Sequence, residues 1–360
     1  MLYDDLRARG VPEAVAPGLQ KEGWDAYRKE LIRLLGREVY GFAPPPPAYV
    51  KAEETSVEKR AWAGKADHIE LQLKFPTPKG EFAFPLHLIL PLGETKLPMI
   101  LYISFTSYPI GRYGPLEEIV DAGYAMATFC YNDVTRDEDD GFGSGLAAMY
   151  DRDPEDPHAW GKIAMWAFAA SRAMDYVRTL DRVDPDRIFC VGHSRLGKTS
   201  LWCGAQDERF AAAVSNDSGC SGAAITRDKQ GERVADIVSR FPHWFCKQYR
   251  QYAGREHEMP FDQNLLLAAI CPRPLYVASA TEDLWCDPQS EYLACLSASS
   301  AYELMGLDGL VGPRMRYPEA GETFQAGMIG YHLRQGTHFL SRYDWTRFLQ
   351  FMDRRLPAKG

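Results

Sequence analysis

The sequence contains no apolar run close to the ~20 residues that a membrane-spanning helix requires. It has no excess of positive charge either, since 41 Lys and Arg face 49 Asp and Glu, for a formal net charge of -8. That balance argues against a nucleic acid as the partner, because binding to a phosphate backbone needs clustered cations. The start, M-L-Y-D-D-L-R-A-R-G, lacks the basic region and apolar core of a secretory signal. We therefore expect a cytoplasmic protein that binds neither membrane nor nucleic acid.

The eight cysteines form no C-x-x-C pair and show no metal-ligand spacing. We expect them to be reduced thiols in the core, and the sequence predicts no metal site. Internal repeats and a second hydrophobic core are also lacking. With 46% hydrophobic and 25% charged residues, the chain has the composition of a globular protein that buries a sizeable core.

Short apolar strands alternate with helical patterns along most of the chain. Ile69 to Phe75 and Phe82 to Leu92 form two period-two runs that predict an antiparallel hairpin. Continuously apolar strands are predicted further on at Met99–Phe105, Tyr124–Tyr131, Ile188–Val191, Phe210–Ser215, Pro274–Ala280 and Gly327–Tyr331. Helices are predicted at Leu116–Asp121, Trp160–Leu180, Ser290–Leu304 and Trp345–Arg355. This alternation predicts an α/β fold with a mostly parallel central sheet and helices on both faces.

Two segments lie outside this alternation. Residues 1–48 are predicted to form an N-terminal extension, with a helix at Trp24–Leu35 and a stiff connector at Pro44–Pro47. Residues 49–360 are then predicted to form a single domain that contains the α/β sheet. Within it, the acidic and Gly-rich stretch Arg136–Asp156 is predicted to be a long surface loop near the rim.

The most informative stretch is Arg187–Trp202, with the sequence R-I-F-C-V-G-H-S-R-L-G-K-T-S-L-W. A strand-like run enters a tight turn, and a helix starts near Thr199. One interpretation is a nucleophile elbow, which lifts Ser194 above the end of the sheet. The other is a phosphate-binding P-loop, because Gly192, Gly197, Lys198 and Thr199 match G-x-x-x-x-G-K-[ST].

The order of the later residues favours the elbow. A P-loop normally follows the first strand of its domain, whereas this turn comes after several predicted strands. An α/β-hydrolase instead requires the chain order Ser, Asp or Glu, His. Asp217 and Asp283 each follow an apolar strand after Ser194, and His338 precedes the last helix. We expect His332, the competing histidine, to point into the sheet.

The turn departs from the common elbow G-x-S-x-G, because Leu196 holds the last glycine position and Gly197 follows it. The resulting G-x-S-R-x-G-K turn resembles that of the glucuronoyl esterases, carbohydrate esterase family fifteen. The resemblance extends from about Ile188 to the C-terminus. It is carried by 192–198 (G-H-S-R-L-G-K), 215–219 (S-N-D-S-G), 231–232 (G-E), 243–245 (H-W-F), 262–263 (D-Q), 272–274 (P-R-P), 282–285 (E-D-L-W) and 336–338 (G-T-H).

The resemblance implies a role for each matching residue. Ser194 would be the nucleophile and His338 the general base, while Arg195 would stabilise the oxyanion through its N–H and its guanidinium. The implied substrate contacts are Lys198, Glu232, Trp285 and Trp244. The triad acid stays open between Asp283 and Asp217, because the family often has glutamate at the latter position and this chain has the shorter aspartate. We favour Asp283.

The predicted activity is a serine esterase that uses no cofactor. Its expected substrate is a small carbohydrate ester, above all a 4-O-methyl-glucuronoyl ester of xylan fragments. The alternatives are an acetyl xylan esterase with the same triad, a P-loop nucleotide-binding protein and a catalytically silent carbohydrate binder. Neither the oligomeric state nor the alcohol side of the ester follows from the sequence.

Overall fold

The computed structural model describes residues 1–93, 96–109 and 111–358. Within these ranges the strands are Lys51–Arg60 (β1), Ala66–Thr77 (β2), Gly80–Pro91 (β3), Leu97–Ser104 (β4), Ala125–Cys130 (β5), Val183–His193 (β6), Ala212–Asn216 (β7), Leu275–Ala280 (β8), Thr323–Phe324 (β9) and Ile329–Arg334 (β10). They form one sheet in the order β1-β2-β3-β5-β4-β6-β7-β8-β10-β9. The centre, from β5 to β10, is parallel, and antiparallel pairs lie at both edges.

The helices alternate with the central strands and cover both faces of the sheet. They are Leu2–Ala8 (α1), Trp24–Leu35 (α2), Ala61–Gly64 (α3), Leu116–Asp121 (α4), Tyr131–Val134 (α5), Gly145–Ala148 (α6), Lys162–Val177 (α7), Arg195–Gln206 (α8), Val234–Arg240 (α9), Gln263–Ala268 (α10), Pro288–Leu304 (α11) and Arg342–Arg355 (α12). Short 3₁₀ or π turns occur at Lys21–Gly23, Gly36–Tyr40, Lys247–Tyr252 and Glu256–Glu258. Helices α4 and α12 cover one face, and α7, α8, α10 and α11 cover the other.

Alternation along the strands explains this two-sided burial. In β4, Leu101 and Ile103 belong to the core under α7 and α8, whereas Ile100 and Tyr102 belong to the core under α12. Successive side chains of a strand point to opposite faces, so a continuously apolar strand fits only between two helical layers. The predicted α/β architecture with a mostly parallel centre is thereby confirmed.

The main difference from the prediction is strand β1, which the sequence analysis did not identify. Lys51–Arg60 is almost entirely exposed, and its side chains show no alternation of apolar and polar residues. It joins the sheet through its antiparallel ladder with β2. An edge strand rich in charge resists pairing with other chains, but it leaves little hydrophobic pattern to detect.

The N-terminal residues pack directly on the main core. The Trp24 side chain is fully buried, and its Nε1 donates to the carbonyl of Cys271 at 3.3 Å. Tyr40 stacks on Trp202 with ring centroids 4.4 Å apart and donates its hydroxyl to the carbonyl of Ser221. The boundary near residue 48 stays a prediction, but these contacts give the segment before it no separate core.

Three further expectations concern the chain as a whole. All eight cysteines are buried and none is disulfide-bonded, as predicted. His332 points into the interior, where its Nε2 lies 2.8 Å from an Asp344 carboxylate oxygen. Within the described ranges, no helix combines the length and the apolar character needed to cross a membrane.

We expect Trp24→Ala to lower the free energy of unfolding by about 3–5 kcal/mol, because it removes a fully buried indole from the shared core. Urea unfolding followed by circular dichroism measures this change. The control is Tyr49→Ala, since Tyr49 is exposed and its loss should cost less than about 0.5 kcal/mol. An unchanged main transition in Trp24→Ala would show that residues 1–48 fold separately from the catalytic domain.

Candidate active site

The turn between β6 and α8 holds Ser194 in a backbone conformation that non-glycine residues rarely adopt. β6 ends at His193, α8 begins at Arg195, and Ser194 between them has φ 58° and ψ -126°. The turn is tight enough that a Cβ on Gly192 would lie 1.9 Å from the carbonyl oxygen of Leu196. A serine held in this way at a strand-to-helix turn is the geometry of a nucleophile elbow.

The unusual glycine spacing has a packing explanation. Leu196 is fully buried and belongs to the main core. Gly197, one residue later, is the position that approaches the next strand, because a Cβ there would lie 2.9 Å from Ser215 Oγ. Helix α8 therefore packs against the end of β7 at Gly197, so the motif tolerates a large residue at 196.

The P-loop interpretation does not fit this turn. The Lys198 side chain is buried, and its ammonium donates to the carbonyl of Ser218 instead of facing an open loop. Thr199 is buried as well, and its hydroxyl donates back to the carbonyl of Arg195 at 2.9 Å. A P-loop needs the threonine hydroxyl on Mg²⁺, and here that hydroxyl is bonded to the backbone of its own helix.

His338 and Asp283 form the hydrogen-bonded pair expected beside the nucleophile. His338 Nδ1 lies 2.6 Å from Asp283 Oδ2, and its Nε2 makes no hydrogen bond within the described residues. The His338 ring centroid is 4.6 Å from that of His193, the residue before Ser194. Burial acts to raise the pKa of Asp283, but the hydrogen bond and charge of His338 outweigh it and lower that pKa. Asp283 is thus an ionised hydrogen-bond partner of the His338 ring.

Asp217 has a different environment from Asp283. Its side chain is fully buried, and Oδ2 accepts hydrogen bonds from Arg334 and from the N–H of Phe339, both at 3.2 Å. It makes no hydrogen bond with His338 in the part of the chain that the structure describes. Burial, reinforced by the charges of Glu291 and Asp283, raises the pKa of Asp217 well above its usual value. It braces the loop that carries His338.

Arg195 lies on the other side of the turn, over a set of aromatic rings. Its guanidinium carbon is 4.7 Å from the Trp244 ring centroid and 5.4 Å from that of Phe241. The guanidinium donates to Asp137, which also accepts a hydrogen bond from Trp244 Nε1 at 2.6 Å. The Trp244 ring is 3% exposed and lies against Arg195. Its role as a substrate contact stays a prediction.

The other three predicted substrate contacts, Lys198, Glu232 and Trp285, lie close together. The Lys198 ammonium is 3.8 Å from the Glu232 carboxylate, and both side chains are less than a tenth exposed. The N–H of Glu232 donates to the carbonyl of Trp285 at 3.0 Å. Trp285 itself is 45% exposed, which leaves a ring face open to a ligand. The structure therefore places a cation, a carboxylate and an aromatic face in one part of the site.

Two acidic residues of the site were missed by the sequence analysis. Asp137 belongs to the stretch assigned to a surface loop, yet its side chain is only 7% exposed and contacts Arg195. Glu291 in α11 is fully buried, and its Oε1 accepts from the N–H groups of Ser218 and Gly219. Asp137 follows the end of β5, at the edge of the sheet where the ends of parallel strands meet. That position was the one sequence signal that could have identified it as a site residue. Nothing in the local sequence distinguishes Glu291 from a surface residue.

Two groups of described residues bring three potential metal ligands within 4.8 Å of one another. In the first, His68, Glu70 and His87, the two rings already hydrogen-bond each other at 3.0 Å. In the second, Asp283, Cys286 and His338, burial raises the pKa of the Cys286 thiol well above its usual value. In both groups, a ring nitrogen that a metal would require already takes part in a hydrogen bond within the fold. That the chain uses no metal stays a prediction.

Comparisons with known sequences match this chain to one family of esterases. A family described as glucuronyl esterase, fungi, matches residues 77–306. The chain is 43% identical over 252 residues to the carbohydrate esterase MZ0003 of an unknown prokaryotic organism, and the match covers 69% of this chain and 57% of that protein. It is 27% identical over 297 residues to a 4-O-methyl-glucuronoyl methylesterase of Podospora anserina, covering 79% of this chain and 57% of the relative. The chain thus spans little more than half the length of these two relatives.

Solved structures align over nearly the whole chain. A glucuronoyl esterase from Solibacter usitatus has a TM-score of 0.89 and 35% sequence identity, with 96% of this chain and 98% of that chain covered. A promiscuous esterase of carbohydrate esterase family 15 from a marine bacterial metagenome has a TM-score of 0.86 and 32% identity, with 96% and 97% covered. These matches do not favour the P-loop or acetyl esterase alternatives. The chain belongs to the glucuronoyl esterase family, carbohydrate esterase family 15, whose members are carboxylic ester hydrolases built on the α/β-hydrolase fold.

Proposed function

We propose that this chain hydrolyses a glucuronate ester through an acyl-enzyme formed on Ser194. The observation that carries the proposal is the 2.6 Å hydrogen bond from His338 to Asp283 beside a serine with a positive φ. The names of the curated relatives, a carbohydrate esterase and a 4-O-methyl-glucuronoyl methylesterase, support this substrate class. The substrate would be a small carbohydrate ester, such as a glucuronoylated xylan fragment.

In the first step, Ser194 Oγ would attack the ester carbonyl while His338 Nε2 takes its proton. Asp283 holds the opposite ring nitrogen, which fixes the tautomer that leaves Nε2 able to accept a proton. The protonated imidazole would then donate that proton to the leaving alcohol as the tetrahedral intermediate collapses. Water would attack the acyl-enzyme by the same route and release the uronate.

The negative charge of the tetrahedral intermediate would be stabilised by Arg195. Helix α8 begins at this residue, so its backbone N–H lies in the first turn, where no intrahelical acceptor exists. Its side chain is 26% exposed, so its protein partners do not enclose it completely. A fixed cation stabilises an oxyanion more strongly than a neutral donor does, because the interaction is charge-assisted.

Specificity for the acyl side of the ester would come from Lys198, Glu232 and Trp285. The ammonium and the carboxylate can bond sugar hydroxyls, and the exposed ring of Trp285 offers a flat apolar face to the pyranose. An acetate ester has no sugar on its acyl side and gains nothing from these contacts. This arrangement therefore favours a uronate ester over an acetate ester.

We predict that Ser194→Ala removes hydrolysis without unfolding the protein. The side chain lost is small, and alanine leaves the buried packing of the turn in place. Turnover of benzyl glucuronate should fall by roughly 10⁴-fold or more, as for loss of a triad member. Chromatographic detection of the released alcohol measures turnover, and circular dichroism checks the fold. Retention of more than about one per cent of the activity would refute the assignment of the nucleophile.

We further predict that Asp283→Asn lowers kcat far more than Asp217→Asn does. Asparagine at 283 would favour the wrong His338 tautomer, which costs on the order of 10³- to 10⁴-fold in kcat. Asp217 makes no hydrogen bond with His338, so replacing its carboxylate by an amide should lower kcat by less than about 10-fold. Steady-state kinetics on both single variants and the double variant measure the difference. The reverse ranking would make Asp217 the triad acid.

A further inference from the structure

Four donors from three separate segments converge on the carboxylate of Asp137. Oδ1 lies 2.8 Å from His243 Nε2 and 2.6 Å from Trp244 Nε1. Oδ2 accepts from the guanidinium of Arg195 and, at 3.2 Å, from the hydroxyl of Tyr131. Burial acts to raise the pKa of Asp137, but the hydrogen bond from His243, with those from Trp244 and Arg195, lowers it to about 2. The residue is therefore a permanent buried anion.

A second buried charge, the ammonium of Lys162, fixes the backbone on both sides of Asp137. The Lys162 ammonium in α7 is fully buried and donates to the carbonyls of Arg136 and Glu138, the two neighbours of Asp137, at 2.6 Å each. It also pairs with Asp140 at 2.7 Å. The loop thus has a rigid attachment to a core helix, which is uncommon in a surface connection.

The contacts of Arg195 restrict the orientation of its guanidinium. One terminal nitrogen of the guanidinium is held by Asp137, and the plane lies over the Trp244 ring. The guanidinium carbon is 5.9 Å from the Phe105 ring on another loop. A planar fork held at one nitrogen and on its face can rotate little, so its remaining donors keep a constant direction.

We infer that Asp137 is a positioning residue, which aims the guanidinium of Arg195 at the developing oxyanion and acts on the reaction only through that arginine. The inference rests on the proposed function, because it assumes that Arg195 meets the tetrahedral intermediate. A fixed orientation of the guanidinium has a physical advantage for catalysis. Preorganised donors lower the barrier because they need no reorientation when the charge appears, whereas a free arginine side chain would lose that advantage.

The test is a double-mutant cycle between Asp137 and Arg195. Asp137→Asn keeps the size of the side chain and removes its charge, and Arg195→Ala removes the group that it positions. With intact Arg195, Asp137→Asn should lower kcat by about 10- to 100-fold and change KM by less than about 3-fold. In the Arg195→Ala background the same change should cost less than about 3-fold. Both benzyl glucuronate and p-nitrophenyl acetate are assayed, since either ester forms an oxyanion.

The matched control is Asp139→Asn, which makes the same chemical change at an exposed position of the same loop. Its kcat should stay within about 3-fold of the intact protein. If Asp137→Asn does not fold, Arg195→Lys replaces it in the comparison. Arg195→Lys keeps a cation and leaves the hydrogen bonds from His243, Trp244 and Tyr131 to Asp137 in place. It should still lower kcat by a similar factor, because an ammonium lacks the planar fork of a guanidinium.

A ligand-binding readout separates this inference from the proposed substrate. Phenylboronic acid forms a tetrahedral anionic adduct with an activated serine, and calorimetry gives its affinity without any turnover. Asp137→Asn should weaken this binding by about 10-fold when Arg195 is present and leave it unchanged in Arg195→Ala. Equal losses in both backgrounds, an equal loss in Asp139→Asn, or no boronate binding by the intact protein would overturn the inference. Hydrolysis of p-nitrophenyl acetate but of no glucuronate ester would instead overturn only the proposed function.

Discussion

The positive φ of Ser194 is the constraint on which the rest of the site depends. A non-glycine residue in such a conformation costs about 1–3 kcal/mol and persists only where its surroundings enforce it. Here the enforcement comes from the close contact of Gly192 with Leu196 and of Gly197 with β7. These contacts place the serine at the C-terminal edge of the parallel strands. Asp217, Asp283 and His338 reach the same edge because they follow β7, β8 and β10.

Asp217 and Asp283, which follow neighbouring strands, have opposite pKa shifts because their surroundings differ. Burial and nearby carboxylates raise the pKa of Asp217, whereas the hydrogen bond and charge of His338 hold that of Asp283 below its usual value in spite of burial. Pairs of like groups whose pKa values are pushed apart are typical of sites in which one member acts and the other supports. In our proposal Asp283 stabilises the imidazolium, and Asp217 holds the adjacent Phe339 amide and Arg334.

The central strands and the Ser, Asp, His order could be predicted because apolar runs and chain order are local signals. Asp137, Glu291 and strand β1 could not. Glu291 contacts residues far away in the chain, so its own neighbourhood carries no sign of its place in the site. For Asp137 the one signal was its position after the end of β5. β1 pairs through its backbone with polar side chains facing outward, which leaves no period-two pattern. A sequence motif names Trp244 without showing which way its ring points, so its contact with Arg195 could not be predicted.

The acyl-enzyme on a uronate ester is the central claim, and alcohol partitioning tests it most directly. Methyl and benzyl glucuronate would each be hydrolysed in the presence of ethanol, and the ratio of ethyl ester to free acid measured by mass spectrometry. Both substrates form the same acyl-Ser194, so the account predicts the same ratio from either one. A ratio that changes with the leaving alcohol, or no turnover of either ester, would contradict it.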